Sequence, residues 1–581
     1  MTNKIESKLN YMCDVEIYPS EYKRKLRTFF LCSEKEIHFY EHPREVTYND
    51  YISKDFFHCH KMNNECTIPS LVDGFQPIQS KVIYTCFKSN DDKHEIYVSD
   101  LAVSVALSTA YNHDLKHLNS TIVELAQNFV GSNNINFLQP LGQFGTRLEG
   151  IKVAGCSCCI STMLSPLTRK LFPPLDDPLL AYQYDNNQRI EPKYYVPIIP
   201  MVLVNGAEGI DSNCKTKIPR YNPRDIVENI KRMLRNEEPL NMNPWYKDFK
   251  GTVVKVEPMQ YVIYGEVAKL DEQTIEITEL PIGTWTKVYE QTILKPMLHG
   301  TKTSPPLIND YKSYYTTTNV KFIVKMNENS LEKVIQNGIH KEFKLQTSMP
   351  ISSMFLIDKN GVIRQYKSSL DILREFFHIR LDFYVRRKKY HEGMLEAEIL
   401  KLKNQSRYIL AIKNEKIIME NVKNKEEFIK LLIELKFDSD PVKAWLKKFN
   451  IEQNEPDTTS NNENEDDDKI PETEEEKKYD FDYLAEMPMR AMLEENVQEL
   501  SKKRDAKKTE LEELKRSTPK MLWEKDLDAF LEEYELIEKK ERENAMKWLE
   551  ISKWAKPSEH AKRIEPNRFQ KFSAAKRTGY K

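Results

Sequence analysis

The sequence has no run of ~18 apolar residues, so no membrane span is expected in its 581 residues. Its start, MTNKIESKLN, lacks the apolar centre of a secretory signal. Nine cysteines all precede residue 215 and follow no disulfide-scaffold spacing, which points to a reducing, intracellular setting. Neither sign of charge dominates. The net charge of −2 is a poor average for a nucleic-acid binder. That average hides a segregation: residues 452–476 hold twelve acids against one base, and residues 556–581 hold eight bases against two acids. Without the acidic stretch the remainder is mildly basic, which permits nucleic-acid contact without demonstrating it. Length and a hydrophobic content of 40% predict roughly three to four domains with sizeable cores.

Residues 1–45 carry no clear pattern. Pro69 and Asp73-Gly74 mark a turn, and KVIYTCF at 81–87 is an apolar run too short for periodicity alone to assign. Residues 100–110 and 120–130 have helical apolar spacing, and the polar GSNN follows at 131–134. Short helices alternating with loops suit a winged-helix module. Val-, Ile- and Tyr-rich runs between 249 and 277 (GTVVKV, QYVIYGEV, TIEIT) read as strands, and a second mixed stretch continues to about Tyr366. Helical periodicity then takes over. Leu395, Ile399, Leu402, Ile409 and Ile412 fall near heptad positions. Leu493, Val497, Leu500, Leu511 and Leu514 do the same, in a register that runs through the charged Arg504 and Lys507. This predicts an antiparallel coiled coil with a helical knob at 428–449 near its tip. Ser517-Thr518-Pro519 ends the second long helix, and a further helix runs to about Trp554. The segment 455–476 reads as a disordered solvated linker or a docking surface for basic partners. Lys562-Arg563 and Lys576-Arg577 weakly resemble a bipartite nuclear-import signal, or form a phosphate-binding arm.

Two stretches, QPLGQFGTRLEG at 139–150 and STMLSPLTRKLFPP at 161–174, resemble the DNA gate of eukaryotic type IIA topoisomerases. The likeness covers about 46–549 and is dense between Ile68 and Ile210. It runs through IPSLVDG, LAQNFVGSNN, GQFGTR, LFPPLDD and YDNNQRIEPKYYVPIIPMVLVNGAEGI, and later DPVKAW. The resemblance implies a helix-rich α+β fold: a winged-helix DNA-gate domain, a mixed α/β tower domain, and a long antiparallel coiled coil with a C-gate knob. The boundaries expected are 46–220 for the gate and 221–366 for the tower. The first arm is 367–427, the knob 428–450, the acidic insert 451–478, the returning arm 479–518, the C-terminal helix 519–555 and the basic tail 556–581.

In that family an Arg-Tyr pair lies between the two stretches, and its tyrosine attacks a DNA phosphate. The aligned residues here are Cys158 and Cys159. The family's metal site needs an E-G-D-S-A and a D-x-D-x-D segment, and its ATPase needs glycine-rich loops. Neither metal segment occurs, and the 16 glycines form no such loop ahead of the gate, so the sequence is expected to hold neither module. Transesterification needs a nucleophile, cationic stabilisation and metal. Losing one electrostatic stabiliser alone costs about 10²–10³-fold in rate. No base or ring of donors is visible beside Cys159 to activate a thiolate. Adjacent Cys156, Cys158 and Cys159 suit tetrahedral zinc poorly, and His58, Cys59, His60 and Cys66 match no strong template. Both clusters read as packed or exposed thiols. No catalytic residue, metal or cofactor is expected.

The resemblance implies DNA contacts at Lys81, His113, Gln143, Thr146 and Arg147. It also implies an intercalating wedge at Ile210, which trades unstacking for wider contact. Ile210 as core and Arg147 as a surface ion pair are the plainer alternatives. Other positions depart from the family. Gln76 and Ser80 replace cations and Ile78 a glycine, Asn112 replaces a histidine and Asp114 a glycine, Asp211 and Asn213 replace glycines, and Gly283 replaces an arginine. Each lost phosphate contact weakens affinity and flattens its salt dependence, so DNA is expected to be held weakly. Arg380, Arg386, Arg387, Lys388 and Lys389 read as solvating the first long helix. The partners implied are DNA, a second copy or a full-length topoisomerase II through the C-gate, and chromatin or cohesin-related proteins, with no membrane. The setting implied is the nucleus and its chromosomes. Three functions follow: an inactive chromatin protein in chromosome segregation, a regulatory partner in a heterodimer, or an active ATP-driven enzyme completed in trans.

Overall fold

The turn at Asp73-Gly74 is built by its own side chain. The Asp73 carboxylate accepts from Phe75 N at 3.0 Å and Tyr195 N at 2.9 Å. Gly74 takes φ +76°, and a Cβ there would lie 2.6 Å from Val202 N, so only glycine fits. The chain leaves this turn as helix α1 (Pro77–Ser89), which settles KVIYTCF as helical. The computed structural model describes residues 64, 66–89, 94–151, 153–210, 215–257, 260–300, 305–327, 330–414, 417, 425–453, 480–487, 494–551, 558 and 560–566. The chain divides into two units, Met1–Arg380 with Asp526–Lys581, and Leu381–Lys525.

In the first unit, α1 is followed by β1 (Ile96–Tyr97), α2 (Val98–Ser108) and α3 (Leu115–Ala126). β2 (Leu138–Leu141) and β3 (Ser161–Leu164) complete a three-stranded sheet of order β1-β3-β2. Three helices and this small sheet make the expected winged helix, and the described residues between 142 and 160 are its wing. Val82, Ile83, Leu101, Val105, Leu118 and Ile122 are buried as its core. An α/β module follows. One antiparallel sheet joins 252–257, 260–264 and 346–350. A second has five strands, ending on Glu266–Lys269 and its edge strand Lys562–Arg563. Its core holds Val267, Ile275, Ile277, Phe322, Val324 and Phe343.

The edge strand revises the reading of the basic tail. Lys562 and Arg563 pair with Lys269 and Ala268, and Arg563 Nε meets Glu266 at 2.7 Å. Ser558 donates from both N and Oγ to the buried Glu276. These residues are fastened to the sheet rather than free as an arm. Lys576-Arg577, residues 454–478 of the acidic insert, and His58, Cys59 and His60 lie outside the described residues. The helix Pro519–Ile551 is tied to the helix Pro223–Leu234 by Arg224–Glu538 at 2.7 Å and Lys231–Asp528 at 2.6 Å.

The long helix Ser369–Lys413 begins in the first unit, where Arg380 is fully buried and donates to Val196 O and Asp176, both at 2.8 Å. Arg387 is buried as well. Arg380 anchors the helix and Arg387 is withdrawn from solvent, contrary to the sequence reading of both as solvating cations.

In the second unit, this helix runs antiparallel to Glu494–Arg516: Lys515 pairs with Glu396 at 2.7 Å and Lys507 with Glu398 at 3.1 Å. Val497, Leu500, Arg504, Lys507, Leu511 and Leu514 share one half-buried stripe, so the heptad register does pass through the two charges. The knob is wider than 428–450. Phe428, Ile429, Leu432 and Phe437 pack in one cluster with Tyr408, Ile417, Phe481 and Leu484. Gly393 admits Trp445, whose ring would lie 2.3 Å from a Cβ there. No helix of the described residues is long and apolar enough to cross a membrane.

Candidate nucleic-acid interface

The wing is shaped by glycines and by one side chain. Gly145 and Gly150 take φ +94° and +91°, and a Cβ on Gly150 would lie 2.5 Å from the Trp285 ring. Gln127 Nε2 donates to Phe144 O at 2.8 Å and Ile151 O at 3.1 Å, which pins both sides of the loop to the end of α3. The distal wing then turns back. Gly155 N donates to Gln143 O, and Cys159 N to Cys156 O, each at 2.8 Å. Ser99 N donates to Ser157 O at 3.1 Å and Val98 N to Ile160 O at 3.1 Å, so the cysteine turn rests on the start of α2.

Cys156, Cys158 and Cys159 are all exposed. Their sulfurs sit 2.8 Å apart for Cys156–Cys158 and 3.7 Å for Cys158–Cys159. Hydrogen bonds from Cys158 pull the Cys156 pKa down, and the same contact pushes Cys158 up to about 11. The thiol that this turn makes more acidic is therefore Cys156. Sequence alignment points at Cys159; only the folded turn shows that Cys156 and Cys158 meet. No His, Asp or Glu of the described residues joins the three sulfurs.

Arg147 departs most from its sequence expectation. It is 1% exposed. Its guanidinium donates to Thr284 O at 2.5 Å, Glu279 Oε1 at 3.0 Å and Leu280 O at 2.8 Å, and lies 5.9 Å from the Trp285 ring. It is neither a surface ion pair nor a cation facing solvent. It locks the wing to the α/β module, helped by Thr286 N and Lys287 N donating to Arg147 O and Leu148 O. Gly283, the departure from the family arginine, holds φ +83° in open space beside this joint.

Lys81 is likewise occupied: its ammonium meets the buried Glu191 at 2.5 Å. Ser80 is buried, and Gln76 Nε2 donates to Thr67 O at 3.0 Å, so two positions that hold cations in the family serve internal packing here. His113 is exposed, its ring 5.7 Å from Tyr111. Asp114 caps α3 by accepting from Lys116 N at 3.0 Å, which gives the acid beside His113 a structural cause. Gln143 is exposed and Thr146 half-buried, with Thr146 O accepting from Gly150 N. Ile210 ends a strand paired with Lys215; its side chain and Asp211 to Cys214 lie outside the described residues. Among the expected set, the fold thus leaves His113 and Gln143 open to solvent and turns Lys81 and Arg147 inward. Glu191 and Glu279 are the residues sequence reasoning missed. Each is distant in sequence from its cation, so no local signal could have found it.

The family of the DNA gyrase and topoisomerase IV A subunits matches residues 67–528. The chain belongs to that family. Among curated proteins it is 51% identical to DNA topoisomerase 2-alpha of Sus scrofa over 501 residues, which is 86% of this chain and 32% of that protein. It is 49% identical to human DNA topoisomerase 2-beta over 503 residues, 87% of this chain and 31% of that protein. The chain spans about a third of the length of these relatives. Among solved structures, the Plasmodium falciparum topoisomerase II DNA-binding, cleavage and re-ligation domain superposes with a TM-score of 0.78 at 34% identity, covering 91% of this chain and 70% of that one.

Proposed function

We propose that this chain is a strand-passage scaffold retired from DNA cleavage, which holds duplex DNA weakly and works on chromosomes, in their segregation. One observation carries the reading. The wing turn, where the family places its Arg-Tyr pair, presents Cys158 and Cys159, and its thiols contact one another rather than a base. Neither the attacking hydroxyl nor the stabilising guanidinium has a replacement of like chemistry there. The inward turning of Lys81 and Arg147 supports weak binding, since each absent phosphate contact lowers affinity and its salt slope. Kinship with animal topoisomerase 2 proteins supports a nuclear setting.

A second reading is favoured by one feature of the second unit. Leu400, Leu410 and Ile433 are exposed apolar side chains at the arm and knob. A C-gate of a full-length topoisomerase II would cover them, making this chain a regulatory or targeting partner of that enzyme.

The test is a cleavage assay on supercoiled plasmid with magnesium, stopped with detergent, run with the chain alone and with added full-length topoisomerase II. The retired-scaffold reading expects no covalent protein–DNA adduct on this chain in either arm, with retention of plasmid at low salt only. An adduct abolished by Cys156→Ser or Cys159→Ser would overturn it. Co-purification with the full-length enzyme would select the second reading.

A further inference from the structure

We infer that the wing turn is a three-sulfur site for a soft monovalent cation, and that Cu(I) is the ion it takes. Three thiols come from four consecutive residues, Cys156 to Cys159, and all three sulfurs lie within 4.8 Å of one another. The backbone holds them there. Cys159 N closes the turn on Cys156 O at 2.8 Å, and Ser157 O is fixed by Ser99 N at 3.1 Å. An ion with metal–sulfur bonds of about 2.3 Å keeps its sulfurs about 3.8–4 Å apart. Cys158–Cys159 already stands at 3.7 Å, and Cys156–Cys158 must open from 2.8 Å by about an ångström, a rotation that exposed side chains make freely.

The donor set selects the ion. Thiolates favour soft cations such as Cu(I). A closed structural zinc site takes four protein donors, and no His, Asp or Glu of the described residues joins the three sulfurs, so zinc here would have to complete its shell with water. Three sulfurs satisfy a trigonal cuprous ion. On binding, three S–H bonds are replaced by three S–Cu bonds and the protons pass to solvent. Copper stays Cu(I) and no electron moves, so no oxidant is required. The site shares Cys158 and Cys159 with the turn on which the proposed function rests, but its test reads copper retention and not DNA cleavage, so the two can fail separately.

The experiment titrates Cu(I) into the full, reduced chain under anaerobic conditions, against a chromogenic cuprous chelator. It compares the wild-type chain with Cys156→Ser/Cys158→Ser/Cys159→Ser. The other six cysteines are common to both arms. The expected result is one more equivalent of Cu(I) retained by the wild type, lost in the triple variant, with at least a tenfold weaker site in each single variant. Equal retention by both chains would overturn the site. Displacement of that equivalent by equimolar Zn(II) would overturn the choice of ion. A second readout needs no variant: one equivalent of Cu(I) should shield Cys156, Cys158 and Cys159 from alkylation in peptide maps, and unchanged labelling there would also sink the proposal.

Discussion

Arg147→Ala should open the joint between wing and α/β module. The guanidinium serves three acceptors, Glu279 Oε1, Leu280 O and Thr284 O, in a place with 1% exposure. Removing it leaves the Glu279 carboxylate, 4% exposed, without its cation. Breaking a buried pair from one side costs about 3–5 kcal/mol, and the two orphaned carbonyls place this case at the upper end. Arg147→Lys keeps the charge, but one ammonium cannot span all three acceptors, so about 1–3 kcal/mol should still be lost. Replacing both partners with Met should recover much of the loss, because no buried charge then remains. Urea unfolding measures the total, and hydrogen exchange at 279–289 locates it. DNA titrations at several salt concentrations supply the decisive contrast. A guanidinium bound to phosphate would change the logarithmic salt slope by about 0.9 when removed, whereas an internal fastener leaves the slope alone. Unchanged urea stability together with a lowered slope would refute the buried role.

Three further outcomes follow from the same reasoning. Lys81→Met should cost about 1–3 kcal/mol in unfolding, since Glu191 is left buried, yet leave the salt slope of DNA binding at its wild-type value; a lowered slope would return Lys81 to the phosphate backbone. Burial lowers the His340 pKa to about 4, below its ordinary 6.5. The unfolded chain therefore takes up the proton first, and stability should fall as pH drops from about 6.5 to about 4, by at most about 3 kcal/mol; a His340→Leu variant should lack that slope in urea midpoints read across pH. Gly393→Ala should destabilise the second unit despite a helix-propensity gain of ~1 kcal/mol, because the Trp445 ring must move, at about 1–3 kcal/mol. In a Trp445→Ala background the same change should turn stabilising, and thermal melts that show no reversal of sign would exclude the ring contact.

Periodicity and local chemistry were enough for much of the architecture. The Asp-Gly turn, the alternating runs of the sheets and the heptad stripe through Arg504 and Lys507 are short-range patterns. Backbone geometry repeats every two or 3.6 residues, so these can be read along the chain. The replacement of the expected Arg-Tyr pair by Cys158-Cys159 is also a matter of sequence alone. Tertiary structure decided what the charged residues do. Lys81 meets Glu191, Arg147 meets Glu279, Arg380 meets Asp176, and Arg563 lies along a sheet edge beside Glu266. The partners in each pair lie more than a hundred positions apart, and a sequence window cannot see which side chains a fold brings together. The same holds for the thiols: spacing names three cysteines, but the folded turn brings Cys156 and Cys158 into contact and gathers the three sulfurs in one place.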